Sequence, residues 1–170
     1  VSEVWFTALV LAVGLERVAE LIVSSRNAAW SLARGGVESG RGHYPFMVVL
    51  HTGLLVAAVA EVWLLDRPFR WWGWVALVVV LLAQLLRWWC ISTLGRQWTT
   101  RVVVVPGARR VGSGPYRFVA HPNYVAVVAE GAALPLVHSA WMTALAFTVL
   151  NAVLLRTRLA AERAALRELV

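Results

Sequence analysis

Apolar residues in this chain gather into four long runs, Val4 to Val23, Pro45 to Leu65, Trp72 to Leu94 and Tyr124 to Leu155. A helix of ~20 residues crosses the ~30 Å hydrocarbon core of a bilayer, and only helices or closed barrels satisfy their backbone there. Of the 170 residues 60% are hydrophobic and 15% charged, below the ~25% charge of ordinary soluble domains. The chain is therefore expected to be an all-α integral membrane protein.

The last run does not fit one crossing. Its 32 residues would make a rod of ~48 Å, and Pro135, followed by His138 and Ser139, offers a break near the middle. A C-terminal helical hairpin follows, with four to five transmembrane helices in total. The first run lacks a basic leader and contains Glu16, Arg17 and Glu20, so it reads as a helix that stays. One domain is expected: residues 1–94 supply three N-terminal helices, and residues 95–170 a polar loop, the hairpin and a tail.

All sixteen basic residues are arginines, against nine acids, which gives a net charge of +7. The arginines lie mainly between the apolar runs, which points to membrane topology and anionic headgroups rather than nucleic acid. Twelve fall in the first loop, third loop and tail and only two, Arg67 and Arg70, in the second loop. That asymmetry predicts a multi-pass protein with a cytoplasmic C-terminus and the N-terminus outside. Tryptophans cluster at run ends, at Trp71, Trp72 and Trp74 and again at Trp88, Trp89 and Trp98, as interfacial rings do. The lone Cys90 forms no internal disulfide. His43, His51, His121 and His138 lack metal-ligand spacing, so no metal is expected.

The third loop, Gly95 to His121, is the polar segment best placed to carry a site. Its β-branched run from Arg101 to Val105 and its Pro-Gly and Gly-Ser-Gly-Pro turns predict a short extended piece followed by turns. It ends in Gly114-Pro115-Tyr116-Arg117 and His121-Pro122-Asn123-Tyr124. Pro122 can open a helix whose first N–H groups face a polar ligand, and His121 and Tyr124, three apart, are neighbours on it. In the tail, expected to be an amphipathic helix from Thr157, Arg158 and Glu162 share a face. Taken singly, these features amount to a capping histidine beside an interfacial tyrosine, and a surface ion pair worth ~0.3–0.5 kcal/mol.

As a set they resemble the isoprenylcysteine carboxyl methyltransferase family and its phospholipid methyltransferase relatives. The resemblance runs in order from Leu94-Gly95-Arg96-Gln97-Trp98-Thr99 through Gly114-Pro115-Tyr116-Arg117 and His121-Pro122-Asn123-Tyr124 to Arg158-x-x-x-Glu162-x-x-x-Leu166. Ala120 stands where the family usually has arginine, and Arg163 where it has a second glutamate. The resemblance implies S-adenosylmethionine in a cytoplasmic pocket between the His-Pro-x-Tyr turn and the tail helix, with a lipidic acceptor reaching it sideways from the bilayer. It implies Tyr116, His121, Pro122, Tyr124 and Glu162 as cofactor-binding residues. Arg158 could orient a carboxylate acceptor.

Ionisable groups inside the helices are costly in lipid and are expected to face the interior. Glu130, six residues beyond Tyr124, is the candidate base or acceptor-positioning group; Glu16, Arg17, Glu20 and Arg87 read first as structural pairs. A narrower similarity, in Arg26-Asn27-x-x-Trp30, His43-Tyr44-Pro45-x-Met47-Val48-x-x-His51, His121-Pro122-Asn123-Tyr124, Glu130, Pro135-Leu136, Thr143-Ala144, Phe147-Thr148 and Asn151, is to a bacterial branch encoded beside type III polyketide synthases, which implies a place in the bacterial inner membrane. That branch O-methylates long-chain alkylpyrones or alkylresorcinols. It implies such a ring hydroxyl as acceptor, a synthase as partner, and Glu20, His51 and Asn123 on the substrate side. The alternatives are carboxyl methylation of a prenylated cysteine, a silent membrane scaffold for a soluble synthase, and a sterol-reductase-like use of NADPH.

Overall fold

The computed structural model describes residues 1–109 and 111–169; Arg110, one of the arginines counted for topology, lies outside them. Five helices dominate: α1 (Ser2–Leu32), α2 (Tyr44–Leu64), α3 (Trp72–Leu94), α4 (Pro122–Leu136) and α5 (Trp141–Leu169). Three helical stretches, Arg41–Leu64, Trp72–Gln97 and Trp141–Arg167, are long and apolar enough to cross a membrane. α1 is as long but interrupts its apolar surface with Glu16, Arg17 and Glu20. Leu11, Leu15 and Ile22 of α1, Phe46, Val49 and Val56 of α2, Val78, Leu82 and Leu85 of α3, and Leu145, Val149 and Val153 of α5 are exposed. Such an apolar belt is stable against lipid and would be a liability in water.

α1 runs nine residues beyond the apolar run that predicts it, to Leu32, because Ser24-Ser25-Arg26-Asn27-Ala28-Ala29 contains neither Gly nor Pro to stop it. Arg26 consequently sits on the helix rather than in a loop. The tail likewise forms no separate helix but continues α5 without a break. The extended piece in the third loop is β2 (Val102–Val104), and its partner is β1 (Val37–Ser39), antiparallel with Val37 opposite Val104. Glu38 braces this clasp by pairing with Arg41 (3.3 Å) and Arg101 (3.5 Å).

The hairpin forms where Pro135 predicts it. The proline occupies the last turn of α4, and its carbonyl accepts from the N–H of His138 (3.2 Å) and Ala140 (3.0 Å), with Ser139 in the left-handed region at φ 58°. Glu61 of α2 then caps α5 from outside, accepting from Met142 N (3.2 Å), Thr143 N (2.7 Å) and Thr143 Oγ1 (2.8 Å), while Arg67 pairs with it at 3.0 Å. A carboxylate at a helix N-terminus satisfies orphan N–H groups and opposes the helix dipole.

α4 packs along α3 and against α5, and α5 against α2. Small residues permit this closeness, as in membrane interfaces generally: Ala126, Ala133, Ala140 and Ala144 are buried, and a Cβ on Gly131 would overlap the Phe147 ring. Phe6, Val10, Ala58, Val62, Val80, Leu134 and Val137 form an apolar core at the hairpin end of the bundle. The opposite end, less filled, holds the cavities.

Candidate functional site

The junction between the third loop and α4 is built by constrained residues. Gly114 takes φ 56° in a place where a Cβ would strike Thr93, and Pro115 is buried as the chain turns through a short 3-10 helix into Tyr116. Burial, and then the adjacent Cys90 thiol, push the Tyr116 hydroxyl well above the usual phenol range, so it remains a neutral donor. His121 holds the N-cap position, Pro122 opens α4, and Tyr124 N donates to the His121 carbonyl at 3.1 Å. This places the His121 and Tyr124 rings in a stack, 5.2 Å between centroids at 13°.

Tyr124 also connects α4 to α5. Its hydroxyl donates to Glu162 Oε2 (2.8 Å) and accepts from Arg158 Nε (2.9 Å). The anticipated pair four residues apart on α5 is thus joined through a phenol oxygen. His121 Nδ1 lies 3.9 Å from the other Glu162 oxygen, and the Arg158 guanidinium sits 5.4 Å from the Tyr124 ring centre. The remaining Arg158 contact is Nη1 to Met47 Sδ, 2.8 Å, a weak acceptor for a charged donor. Among the described residues no carboxylate lies within ion-pair distance of this buried cation.

Two cavities meet at these groups. One, of about 430 Å³, is walled by Gln97, Thr99, Arg101, Arg109, Tyr116, Ala120, His121, Glu162 and the β2 strand. The other, of about 290 Å³, lies among α1, α2, α4 and α5 with a mostly aliphatic and aromatic wall including Val18, Leu55, Val127, Phe147 and Leu154. Trp98, Asn123, Tyr124 and Arg158 belong to both. Trp98 is held there because Asn27 of α1 donates to its carbonyl (2.8 Å) and Ser24 accepts from Thr100 N (2.9 Å). Trp98 Nε1 and Asn123 Oδ1 are buried without a protein partner, polar atoms placed to meet a ligand or water.

The apolar cavity is closed on one side by four charges. Arg17 pairs with Glu20 (2.6 Å) and with Glu130, and Arg87 pairs with Glu130 (3.1 Å) and Glu20 (3.4 Å). Two cations and two anions from α1, α3 and α4 neutralise one another, as intramembrane charges must. Nearby, Glu16 is bonded to Gln84 and to Trp88 Nε1 (2.6 Å). His51 lines the same cavity, with Nδ1 2.8 Å from the Met47 carbonyl and its ring edge-on to Phe147.

The structure therefore gathers Tyr116, His121, Asn123, Tyr124, Arg158 and Glu162 around the polar cavity, with Pro122 buried behind it, and places Glu20, His51 and Glu130 on the apolar one. Sequence reasoning gave no site role to Trp98, a shared wall, or to Asn151, which is 2% exposed with Oδ1 unpartnered and lines the apolar cavity. An asparagine inside an apolar run is the signal that could have found the latter. The two departures from the family pattern differ in consequence: Ala120 lines the polar cavity, whereas Arg163 is exposed and forms no part of its wall. Among the described residues no three His, Cys, Asp or Glu side chains gather to hold a metal.

Comparison with known proteins accords with this geometry. The sequence profile of the isoprenylcysteine carboxyl methyltransferase (ICMT) family matches residues 74–168, from the start of α3 through the tail of α5. The chain is 37% identical over 164 residues to the uncharacterized protein YpbQ of Bacillus subtilis (strain 168), covering 96% of this chain and 97% of that one. It is 24% identical over 163 residues to an uncharacterized protein of Haemophilus influenzae, covering 95% and 93%. No solved structure matches the chain. With the family profile spanning more than half the sequence and taking in both the His121–Tyr124 turn and Glu162, the chain belongs to the isoprenylcysteine carboxyl methyltransferase family of membrane methyltransferases, whose members use S-adenosylmethionine.

Proposed function

We propose that this protein is an O-methyltransferase that moves a methyl group from S-adenosylmethionine to an oxygen on a lipidic acceptor, preferably the ring hydroxyl of a long-chain alkylpyrone or alkylresorcinol. The observation that carries the reading is the meeting of a polar and an apolar cavity across Trp98, Asn123, Tyr124 and Arg158.

The residues present suit the cofactor. The carboxylate of Glu162, the stacked His121 and Tyr124 rings, the orphan Asn123 Oδ1 and Trp98 Nε1, and the neutral Tyr116 hydroxyl supply partners for a sulfonium, an adenine and an amino-acid end. When bound, the cofactor supplies an electrophilic methyl whose bond to sulfur breaks as the bond to the acceptor oxygen forms. The chain's own residues hold and orient. Arg158 exchanges its weak Met47 contact for the acceptor oxygen and stabilises negative charge there. Tyr124 fixes Arg158 in place and ties it to Glu162, so both cavities share one rigid element. Glu130, bonded to two arginines, stays ionised as a positioning group and makes a poor base.

The arginine asymmetry supports a cytoplasmic cofactor side, and the similarity to bacterial relatives supports a setting in the bacterial inner membrane. That basic face is where a type III polyketide synthase would dock to deliver its product.

Calorimetric titration of S-adenosylmethionine and S-adenosylhomocysteine into detergent-purified protein tests the reading. Saturable binding is expected in the wild type, weakened at least tenfold in Glu162→Ala and His121→Ala, since each loses a charged or stacked contact worth ~1.5 kcal/mol or more. No binding by folded wild type would sink the proposal and favour a membrane scaffold. A labelled product cleaved by mild base would instead identify a carboxyl acceptor such as a prenylated cysteine.

A further inference from the structure

We infer that His51 is the group that accepts the proton of the acceptor hydroxyl, an inference that rests on the O-methyltransferase reading and narrows the substrate class to hydroxyls that must ionise. The Met47 carbonyl, 2.8 Å from Nδ1, can only accept a hydrogen bond. Nδ1 therefore carries the ring proton, and the neutral imidazole presents a bare lone pair on Nε2. Among the described residues Nε2 has no hydrogen-bond partner, and it is not among the sealed polar atoms; the side chain lines the apolar cavity.

The position suits the task. The bond to Met47 draws the imidazole back one turn along α2, toward the end of the cavity where Met47 Sδ touches Arg158. Phe147 pins the ring edge-on at 5.3 Å. The charged groups that face the cavity are Arg17 and Glu20 from α1, Arg87 from α3, Glu130 from α4 and Arg158 from α5. The four deeper ones cancel in pairs, which leaves Arg158 as the cavity cation with no carboxylate in direct ion-pair contact among the described residues, Glu162 reaching it only through the Tyr124 hydroxyl. A neutral acceptor brings a hydroxyl whose O–H bond breaks, the proton passing to Nε2 and the electron pair remaining on an oxygen held by Arg158. The imidazolium returns its proton to water after the product leaves. A carboxylate acceptor, already ionised, would have no use for this residue.

The test uses detergent-purified wild type and His51→Gln without cofactor, and a long-chain 4-alkyl-2-nitrophenol as the probe. Its phenolate is coloured, so ionisation is read directly by absorbance. Wild type is expected to bind the probe as phenolate at a pH where the probe in micelles alone is neutral. His51→Gln is expected to bind it uncharged, while binding the probe's methyl ether, which has no proton to give, as wild type does. Equal ionisation in both proteins would overturn the inference, as would no saturable binding by wild type. Loss of methyl-ether binding together with phenolate colour in His51→Gln would also overturn it, by showing a structural role. The wild type ionising the probe but transferring no methyl to any acceptor would refute the methyltransferase reading and leave His51 as the proton acceptor. With cofactor, the variant is expected to lose about a hundredfold or more in rate on phenolic acceptors and progressively less on more acidic ones.

Discussion

Tyr124 shows how one hydroxyl can organise a site: it stacks on His121, donates to Glu162 and accepts from Arg158. Its pairing with His121 was legible because three residues separate them at a proline-opened helix start, and local spacing fixes helical neighbours. Its bridge to α5 was not, since that depends on how two helices far apart in sequence dock. The place of Trp98 in the shared wall was hidden for the same reason, as an interfacial tryptophan and a cavity wall look alike in sequence. Tyr116 carries a consequence for alkaline stability. Its hydroxyl ionises near pH 10 in the unfolded chain but at higher pH when buried beside Cys90. Between those values the folded state holds more protons than the unfolded one, so stability falls as pH rises past about 10. Thermal unfolding in detergent is expected to show Tyr116→Phe losing less stability than wild type between pH 9 and pH 11; equal losses would mean that the hydroxyl is solvated.

At the scale of elements, the α4–α5 hairpin decides whether the site forms, because α4 brings Tyr124 and α5 brings Arg158 and Glu162. Its break was readable from length and Pro135. The continuity of α5 into the tail was not, because Leu155-Arg156-Thr157 changes polarity without containing a residue that stops a helix. β1 was invisible as well: three residues are too few to show an alternation, and only pairing with β2 makes them a strand. Glu61 is the hairpin's anchor, satisfying two backbone N–H groups and a hydroxyl at the start of α5 while pairing with Arg67. Glu61→Ala is expected to destabilise the protein by about 2 kcal/mol or more, through loss of a cap and of a carboxylate partner. A thermal midpoint in detergent unchanged from wild type would show that α5 needs no cap from α2.

The molecule as a whole is an apolar-surfaced bundle filled at the hairpin end and hollow at the other. Composition alone predicted the surface, because long apolar runs with few charges have a single stable solvent. The interior was only partly legible. Glu20, Arg87 and Glu130 stood out as intramembrane charges, yet their arrangement into a neutral group of four with Arg17 follows from the relative rotation of α1, α3 and α4. The same rotation produces two cavities of opposite polarity with one shared wall. The most direct measurement is transfer of a labelled methyl group from S-adenosylmethionine to a long-chain alkylpyrone by purified protein, with Glu162→Ala altering the polar cavity and Leu55→Trp filling the apolar one. Label is expected in an organic-extractable product stable to mild base, lost in both variants, with S-adenosylmethionine binding retained in Leu55→Trp. No transfer by wild type, or transfer undiminished in Leu55→Trp, would contradict a reaction carried out where the two cavities meet.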